Sequence, residues 1–289
     1  MGPRVGVVGL GQMGQGIARN LVAAGIAGAV TDARPECAGA FPDHWAPTVA
    51  DTLAAGGITL FAVPTTADIA AALEGVDIPE GHLVVDLTTS EPETGRALAA
   101  RLAERGVFYV DAAMSGGGAG AAAGTLTLMA GGAPEDMDRL APVFDVIADR
   151  VFHLGPVGSG QTMKLVHNMI LHTTFLATCE GLWLARAAGL DAAAAVEVLN
   201  AGNARSYVSE VRFPRDILSG AMACRSEVRN LAKDLAMADG LARALGAANP
   251  YGAMTAALLA RAAGDLGMAQ VDFSHLFPEF PRLVEAEGA

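Results

Sequence analysis

The sequence predicts a chain in two parts: an α/β first half built on a doubly wound parallel sheet, and an all-α second half. Apolar strand-like runs alternate with helical patterns as far as about residue 154, the order that gives a parallel sheet with helices on both faces. From Gly158 onward the apolar spacing is helical, with glycine or proline at the breaks. We therefore expect one domain over residues 1–157 and a second over 158–289, joined by a long helix that opens the second.

Composition and charge are those of an ordinary globular protein. Of its 289 residues, 52% are hydrophobic and 17% charged, which is enough for two sizeable cores. The formal net charge of −12 argues against nucleic-acid backbones and membrane surfaces as partners. No uninterrupted apolar stretch reaches transmembrane length, no secretory signal is evident, and the three cysteines form no metal or disulfide pattern. We expect a cytoplasmic protein without a bound metal.

A glycine-rich turn follows the first strand-like run. That run, residues 4–9, leads into a helical pattern that ends at Gly25, and a second strand-like run ends at Asp32. Glycines in such a turn allow a tight bend, a close approach to a pyrophosphate and close packing of helix on strand, while the carboxylate can accept ribose hydroxyls. The pattern predicts a Rossmann-type dinucleotide site. The predicted cofactor-binding residues of the turn are Gly9, Leu10, Gly11, Gln12, Met13 and Gly14.

The α/β alternation continues through the first half. Strands are predicted at 58–63, 83–86, 107–111, 125–130 and 151–154, and helices at 66–73, 92–105 and 134–147. Prolines between residues 36 and 47 predict a truncated second helix and a more open adenine end. Polar residues at 64–66 and 87–90 follow two strands, at the edge where such a sheet binds ligands. Helix capping is an alternative role for these threonines and serine.

A glycine-rich segment at 111–120 follows the strand predicted at 107–111. Ser115 places a hydroxyl beside the amides of Gly116 and Gly117, which together can cradle an anion such as a carboxylate. A flexible loop without a ligand is the alternative interpretation. The position at a strand end favours a ligand-binding role.

A long helix is predicted from Gly158 to about residue 188, ending at Gly189, with Asp191 as the next N-cap. Lys164 and Asn168 lie one turn apart on its surface, so an amine and an amide point into the same space. A solvated surface lysine is the alternative. Further helices are predicted at 192–200, 208–218, 227–245 and 250–263.

Four stretches together resemble the signature motifs of the β-hydroxyacid dehydrogenase family, which includes 3-hydroxyisobutyrate dehydrogenase and tartronate semialdehyde reductase. They are residues 9–14, 111–132, 158–168 and 233–238, in the family's order over nearly the whole chain. The resemblance implies an oxidoreductase that transfers a hydride between NAD and a small anionic 3-hydroxy acid or its semialdehyde. It also implies a homodimer or a homotetramer.

The resemblance also implies roles for individual residues. Lys164 would be the general acid/base, with its ordinary pKa of about 10.4 lowered by burial and by a second cation, Lys233. The residues that would hold the substrate are Ser115, Gly116, Gly117 and Asn168. The residues that would approach the nicotinamide half of the cofactor are Val63, Pro64, Asp68, Thr89 and Lys233. Two positions depart from the family: Asp68 often is asparagine, and Ala113 replaces a proline, which predicts a looser turn.

Alternatives remain for both the activity and the cofactor. An imine reductase and a non-catalytic dinucleotide-binding scaffold resemble the same fold, but Lys164 argues against both. His153 and His167 are the other candidate bases. Asp32 favours NAD because its carboxylate would repel the 2′-phosphate of NADP, whereas Arg34 could grip that phosphate or stack on the adenine. NAD is predicted, and NADP is the less favoured cofactor. Side-group specificity is expected from the helical half, with candidates Ser206, Tyr207 and Phe273.

Overall fold

The computed structural model describes residues 4–285, and the chain divides into two compact units. One unit extends up to Lys164 and the other begins at Leu165. The predicted boundary at 157/158 precedes this division, because the first turn of the long helix hydrogen-bonds to Asp111 in the sheet of the first unit. Each unit contains buried apolar clusters of its own.

A seven-stranded sheet forms the centre of the first unit, in the order β2-β1-β3-β4-β5-β6-β7. The strands are β1 Val5–Val8, β2 Ala27–Thr31, β3 Ile58–Phe61, β4 Leu83–Asp86, β5 Phe108–Ser115, β6 Leu126–Gly131 and β7 Ala148–His153. All residues of β1, β3 and β4 are buried, and all but Thr59 and Asp86 are apolar, as expected for parallel strands covered on both faces. The chain leaves β1 towards β2 on one side and returns to β3 on the other, which opens a crevice at their carboxyl ends.

The predicted doubly wound, mainly parallel sheet is confirmed, with one antiparallel pair that the sequence did not indicate. β1 to β5 are parallel, but β6 runs antiparallel to β5, and β7 is parallel to β6. The reason is the length of the connection. β5 continues to Ser115 and only residues 116–125 precede β6, whereas a parallel crossover needs about a dozen residues or more.

Six helices flank the sheet among the residues that the structure describes in the first unit. They are α1 Gln12–Ala23, α2 Val49–Ala54, α3 Thr66–Ala72, α4 Pro92–Ala103, α5 Gly117–Ala123 and α6 Pro134–Ile147. The predicted truncation after β2 is confirmed, since a short 3₁₀ helix, Pro35–Ala40, occupies that segment. Neither α2 nor α5 was predicted.

The second unit is helical, as predicted. Its elements are the rest of α7 Ser159–Ala187, then α8 Ala192–Ala201, a π-helix Val208–Leu218, α9 Val228–Ala244, α10 Pro250–Ala263, a 3₁₀ helix Phe273–Leu276 and α11 Phe280–Val284. Gly189 has φ +84°, and Asp191 accepts a 2.9 Å hydrogen bond from the amide of Ala194, so the predicted end and N-cap are confirmed. Pro214 interrupts the α-helical hydrogen bonding inside the π-helix.

No helix between residues 4 and 285 is long and apolar enough to cross a membrane. The three cysteines, Cys37, Cys179 and Cys224, are buried free thiols. Over the same described range, no group of three or more His, Cys, Asp or Glu side chains could hold a metal ion.

Candidate active site

The glycine turn between β1 and α1 is closed on one side and open on the other. Gly9 has φ +93°, and a Cβ atom there would lie 2.6 Å from the carbonyl oxygen of Ala62 at the end of β3. A Cβ atom on Gly14 would overlap the carbonyl oxygen of Gly9. Gly11, the N-cap of α1, would meet nothing within 4 Å, and no side chain caps this helix. An open amide end of this kind suits a pyrophosphate, and binding of the cofactor by these residues stays a prediction.

Asp32 follows β2 and is tied to the same turn. Its Oδ2 accepts a 2.6 Å hydrogen bond from the amide of Leu10, and its Oδ1 accepts bonds of 2.9 Å and 2.8 Å from the backbone N and Nε of Arg34. These bonds, led by the Arg34 side chain, hold the pKa of Asp32 at about 2. The guanidinium of Arg34 therefore pairs with the carboxylate of Asp32, and its stacking on an adenine stays a prediction.

The residues predicted to contact the nicotinamide half begin where β3 ends. Val63 lies beside Gly9, and Pro64 precedes the start of α3. Asp68 completes a capping box on that helix, because its Oδ2 accepts bonds of 2.9 Å and 2.6 Å from the backbone N and Oγ1 of Thr65. The carboxylate of Asp68 thus already has a structural role at this edge of the sheet. Its contact with the cofactor stays a prediction, as does that of Thr89.

A buried polar network surrounds Asp86, the last residue of β4. Its carboxylate accepts hydrogen bonds from Thr66 Oγ1 at 2.5 Å, Tyr109 Oη at 2.7 Å, Gln161 Nε2 at 2.9 Å and the amide of Thr88 at 2.7 Å. Burial raises the pKa of Tyr109 far above its ordinary range, so its hydroxyl remains a donor. The motifs in the sequence did not reveal this network. The available signal was an acidic residue directly after three buried apolar residues, at the ligand-binding edge of the sheet.

The segment predicted as a loop at 111–120 is a strand followed by a short helix. Asp111 to Ser115 continue β5, and Ala113, expected to loosen a turn, is buried opposite Met129 of β6. The chain turns only after Ser115, at Gly116 with φ +128° and Gly117 with φ +64°, conformations that favour glycine. The three predicted anion-binding residues thus lie at the end of a strand held on both sides.

Lys164 lies in the second turn of α7, and its side chain is only 9% exposed. The alternative of a solvated surface lysine is therefore wrong. One turn further on, Asn168 is also buried, and its Nδ2 donates a 2.6 Å hydrogen bond to Oδ2 of Asp234. Lys233 Nζ lies 3.4 Å from the other oxygen of Asp234. Asp234, a neighbour in sequence of a predicted site residue, was missed, although it belongs to the motif at 233–238.

The two histidines considered as bases have other partners. His153 Nε2 lies 2.9 Å and 3.1 Å from the carbonyl oxygens of Gly132 and Gly155, so it acts as a donor in a turn. His167 Nδ1 lies 3.0 Å from Oδ1 of Asn168. The fold of the first unit, with its open glycine turn and an acidic residue after β2, defines a dinucleotide-binding protein.

Comparison with known proteins narrows this class. Residues 4–155 match the family described as the NAD binding domain of 6-phosphogluconate dehydrogenase, and residues 158–278 match the NAD-binding family of NADP-dependent 3-hydroxyisobutyrate dehydrogenase. An NAD-dependent L-serine dehydrogenase of Pseudomonas aeruginosa is 31% identical over 94% of this chain and 95% of its own length. A 3-hydroxyisobutyrate dehydrogenase of the same species is 30% identical over 94% and 96% of the two chains.

A solved structure agrees with these matches. The 3-hydroxyisobutyrate dehydrogenase of Mycobacterium tuberculosis with L-serine superposes with a TM-score of 0.88 at 27% identity, covering 97% of this chain and 99% of that one. The chain belongs to the β-hydroxyacid dehydrogenase family. It is an NAD-dependent oxidoreductase that acts on the CH–OH group of a hydroxy acid. This assignment replaces the two alternatives, an imine reductase and a non-catalytic scaffold.

A pair of glycine substitutions should separate folding from cofactor binding. Gly14→Ala forces a Cβ atom against Gly9 and should lower the free energy of unfolding by about 1–3 kcal/mol. Gly11→Ala, which meets no protein atom, should leave the melting temperature near that of the wild type but weaken NADH binding by about tenfold or more. Thermal unfolding and NADH fluorescence titration measure the two effects. Unaltered NADH affinity in Gly11→Ala would place the pyrophosphate elsewhere.

Cofactor choice should depend on the pair formed by Asp32 and Arg34. The wild type should prefer NADH to NADPH by about tenfold or more in dissociation constant, since the carboxylate repels a 2′-phosphate. Asp32→Asn should reduce the preference for NADH over NADPH. Arg34→Ala should widen it, because the carboxylate then loses the cation that partly offsets its charge. Fluorescence titration of both cofactors against the three proteins tests this, and equal ratios in all three would exclude Asp32 from the ribose site.

Proposed function

We propose that the protein interconverts a small 3-hydroxy acid and its semialdehyde, with Lys164 as the general acid/base. The observation that carries the proposal is the burial of Lys164 on a helix whose first turn is hydrogen-bonded to β5, the strand that ends in Ser115. The names of two relatives support the substrate class, because L-serine and 3-hydroxyisobutyrate each carry a hydroxyl on the third carbon and a carboxylate.

The proposed proton transfer assigns a task to each side chain. NAD, when bound along the glycine turn, supplies the hydride acceptor. The neutral amine of Lys164 takes the hydroxyl proton during oxidation, and its ammonium form returns the proton to the carbonyl oxygen during reduction. For this role the pKa of Lys164 must lie below the ordinary lysine value of about 10.4, so that the neutral amine is present near neutral pH. Val63, Pro64, Asp68, Thr89 and Lys233 are the proposed contacts of the nicotinamide half.

The substrate carboxylate is proposed to bind at the end of β5. The hydroxyl of Ser115 and the amides of Gly116 and Gly117 are the donors for its oxygens, and the two positive φ angles set that backbone turn. Asn168 is proposed to bind the substrate through its amide, which Asp234 holds in one orientation. The donors at the end of β5 and the amide of Asn168 both bind polar atoms, so together they suit a small anionic substrate.

Removal of the lysine amine tests the mechanism. Lys164→Ala and Lys164→Arg should both lower kcat by about 10²- to 10⁴-fold, since neither side chain can exchange a proton near neutral pH. The NADH dissociation constant should stay within about twofold, because the proposed dinucleotide contacts are other residues. Turnover near the wild-type rate in either folded variant would contradict the assignment.

A substrate panel tests the substrate class independently. Small 3-hydroxy acids, including L-serine and 3-hydroxyisobutyrate, should be oxidised with NAD, whereas their methyl esters should lose about tenfold or more in kcat/KM. The same loss should be smaller in Ser115→Ala, which lacks one of the donors to the carboxylate. If the esters were turned over as efficiently as the acids, the end of β5 would not be the site that binds the carboxylate.

The second unit is proposed to form a homodimer or homotetramer through its apolar surface. Large apolar side chains on α7, α8 and α10 are more than half exposed, among them Leu184, Val198, Tyr251 and Met254. Light scattering at micromolar concentration should give a dimer or tetramer. Leu184→Glu and Tyr251→Glu should shift it towards the monomer, whereas Leu245→Glu, an equally exposed leucine after α9, should not. A wild-type monomer would overturn the proposal.

A cytoplasmic location is also proposed. The support is the state of Cys37, Cys179 and Cys224, three buried thiols without a disulfide, which suits a reducing compartment. Recovery of the native protein from an oxidising compartment after cell fractionation would contradict it.

A further inference from the structure

The N-terminus of α7 is capped by a residue from a distant strand. Gly158, directly before the helix, has no side chain with which to cap it. Asp111 of β5 supplies the oxygens instead: its Oδ1 accepts a 2.6 Å hydrogen bond from the amide of Gly158, and its Oδ2 accepts a 2.8 Å bond from the amide of Gln161. The amide of Gln161, in the third helical position, is one that an N-cap side chain normally satisfies. A negative charge at this end is also favoured by the helix dipole.

Glycines allow the helix to reach that carboxylate. A Cβ atom on Gly160 would overlap the carbonyl oxygen of Met129 in β6, and one on Gly131 would lie 2.6 Å from the carbonyl oxygen of Pro156. Gly158 has φ +91°, a conformation that favours glycine. The first turn of α7 therefore packs directly against the backbone of the sheet, and it has no room to shift towards it.

A second contact holds the same turn to the neighbouring strand. The side chain of Gln161 donates 2.9 Å hydrogen bonds to Thr66 Oγ1 and to Oδ2 of Asp86. Asp86 is the partner of Asp111 in the register of β4 and β5. A Cβ atom on Gly95 of α4 would lie 2.6 Å from Oε1 of Gln161, so this glycine makes room for the amide. Two adjacent strands thus hold one helical turn.

We propose that Asp111 is a positioning residue, which sets the place of Lys164 relative to the substrate-binding end of β5. Asp111 and Ser115 lie four residues apart on one strand and so on the same face, while Lys164 follows Gln161 by three residues on the helix. One carboxylate therefore links the proposed proton-transfer group to the proposed anion site. The inference rests on the proposed function, because it requires Lys164 to be the acid/base.

The ionisation of Asp111 makes this role measurable. Burial raises its pKa to about 6, with a further contribution from Asp86, against the lowering effect of the two amides. The other charged or titratable groups on the elements around it are Tyr109 on its own strand and Arg96 of α4, which lies beside Gly158, while β6 presents Met129 and Gly131 there. A raised carboxyl pKa adds stability only at low pH, and that stability is lost as the pH rises through about 6. At neutral pH Asp111 is therefore ionised, although its negative charge does not add to the stability of the folded protein.

The test compares Asp111→Asn with Asp136→Asn. Asp136 is a matched control, because it is a buried carboxylate with a raised pKa in the first turn of α6, outside the proposed site. Activity is measured in the direction of semialdehyde reduction, where Lys164 must be protonated and its own titration affects only the high-pH side. NADH fluorescence titration, thermal unfolding and hydrogen exchange of the peptide covering residues 157–165 complete the comparison.

In semialdehyde reduction the kcat of the wild type should decrease as the pH falls through about 6, because Asp111 then takes up a proton. Asp111→Asn should lack this low-pH limb, show a kcat at least about tenfold lower at neutral pH, and exchange the amides of 157–165 faster. Its NADH dissociation constant should stay within about twofold of the wild-type value. Asp136→Asn should keep the wild-type kcat and the low-pH limb.

Two results would overturn the inference. One is a folded Asp111→Asn protein with wild-type kcat while Lys164→Ala is inactive. The other, which needs no variant and so does not depend on whether Asp111→Asn folds, is a wild-type reductive profile that stays flat between about pH 5 and 7. An active Lys164→Ala would instead reject the proposed function itself, so the two failures are distinguishable.

Discussion

Two hydrogen bonds to the carboxylate of Asp111 connect the sheet of the first unit to the helix that carries Lys164. The amides at the start of a helix have no partners within it, and Gly158 cannot supply one. A strand residue far away in sequence therefore satisfies them. Because the same strand ends in Ser115, the geometry of the proposed site follows from how this strand and this helix meet.

Glycine has two distinct uses in the first unit. At Gly14 and Gly160 a side chain would collide with backbone carbonyl oxygens, so these glycines allow elements of the protein to pack closely. At Gly11 a side chain would meet no protein atom, so the absence of one leaves space for a ligand. The distinction explains why glycines of one motif can have different consequences when they are substituted.

Buried carboxylates in this protein orient neutral amides. Asp86 accepts four hydrogen bonds from hydroxyl and amide groups, one of them from Gln161, and Asp234 accepts one from Asn168. Several donors around one carboxylate offset the cost of removing its charge from water. Each carboxylate also restricts the side-chain amide that it contacts, of Gln161 or of Asn168, to one orientation. Gln161 and Asn168 lie on either side of Lys164 on α7, so the helix carries fixed polar groups next to its lysine.

The sequence alone determined the class of fold, the places of most strands and helices, and the family. Those features depend on local periodicity, as at β4 and α6, or on short motifs such as residues 9–14, so neighbouring residues are sufficient to reveal them. Only the tertiary structure decided that β6 runs antiparallel, that Arg34 turns onto Asp32, and that Asp111 caps α7. The strand pairing, the cap and the bond from Arg34 to the carbonyl oxygen of Leu10 all join residues that are not neighbours in the sequence. The partner of a buried polar group is set by which elements pack together, and no local pattern in the sequence records that.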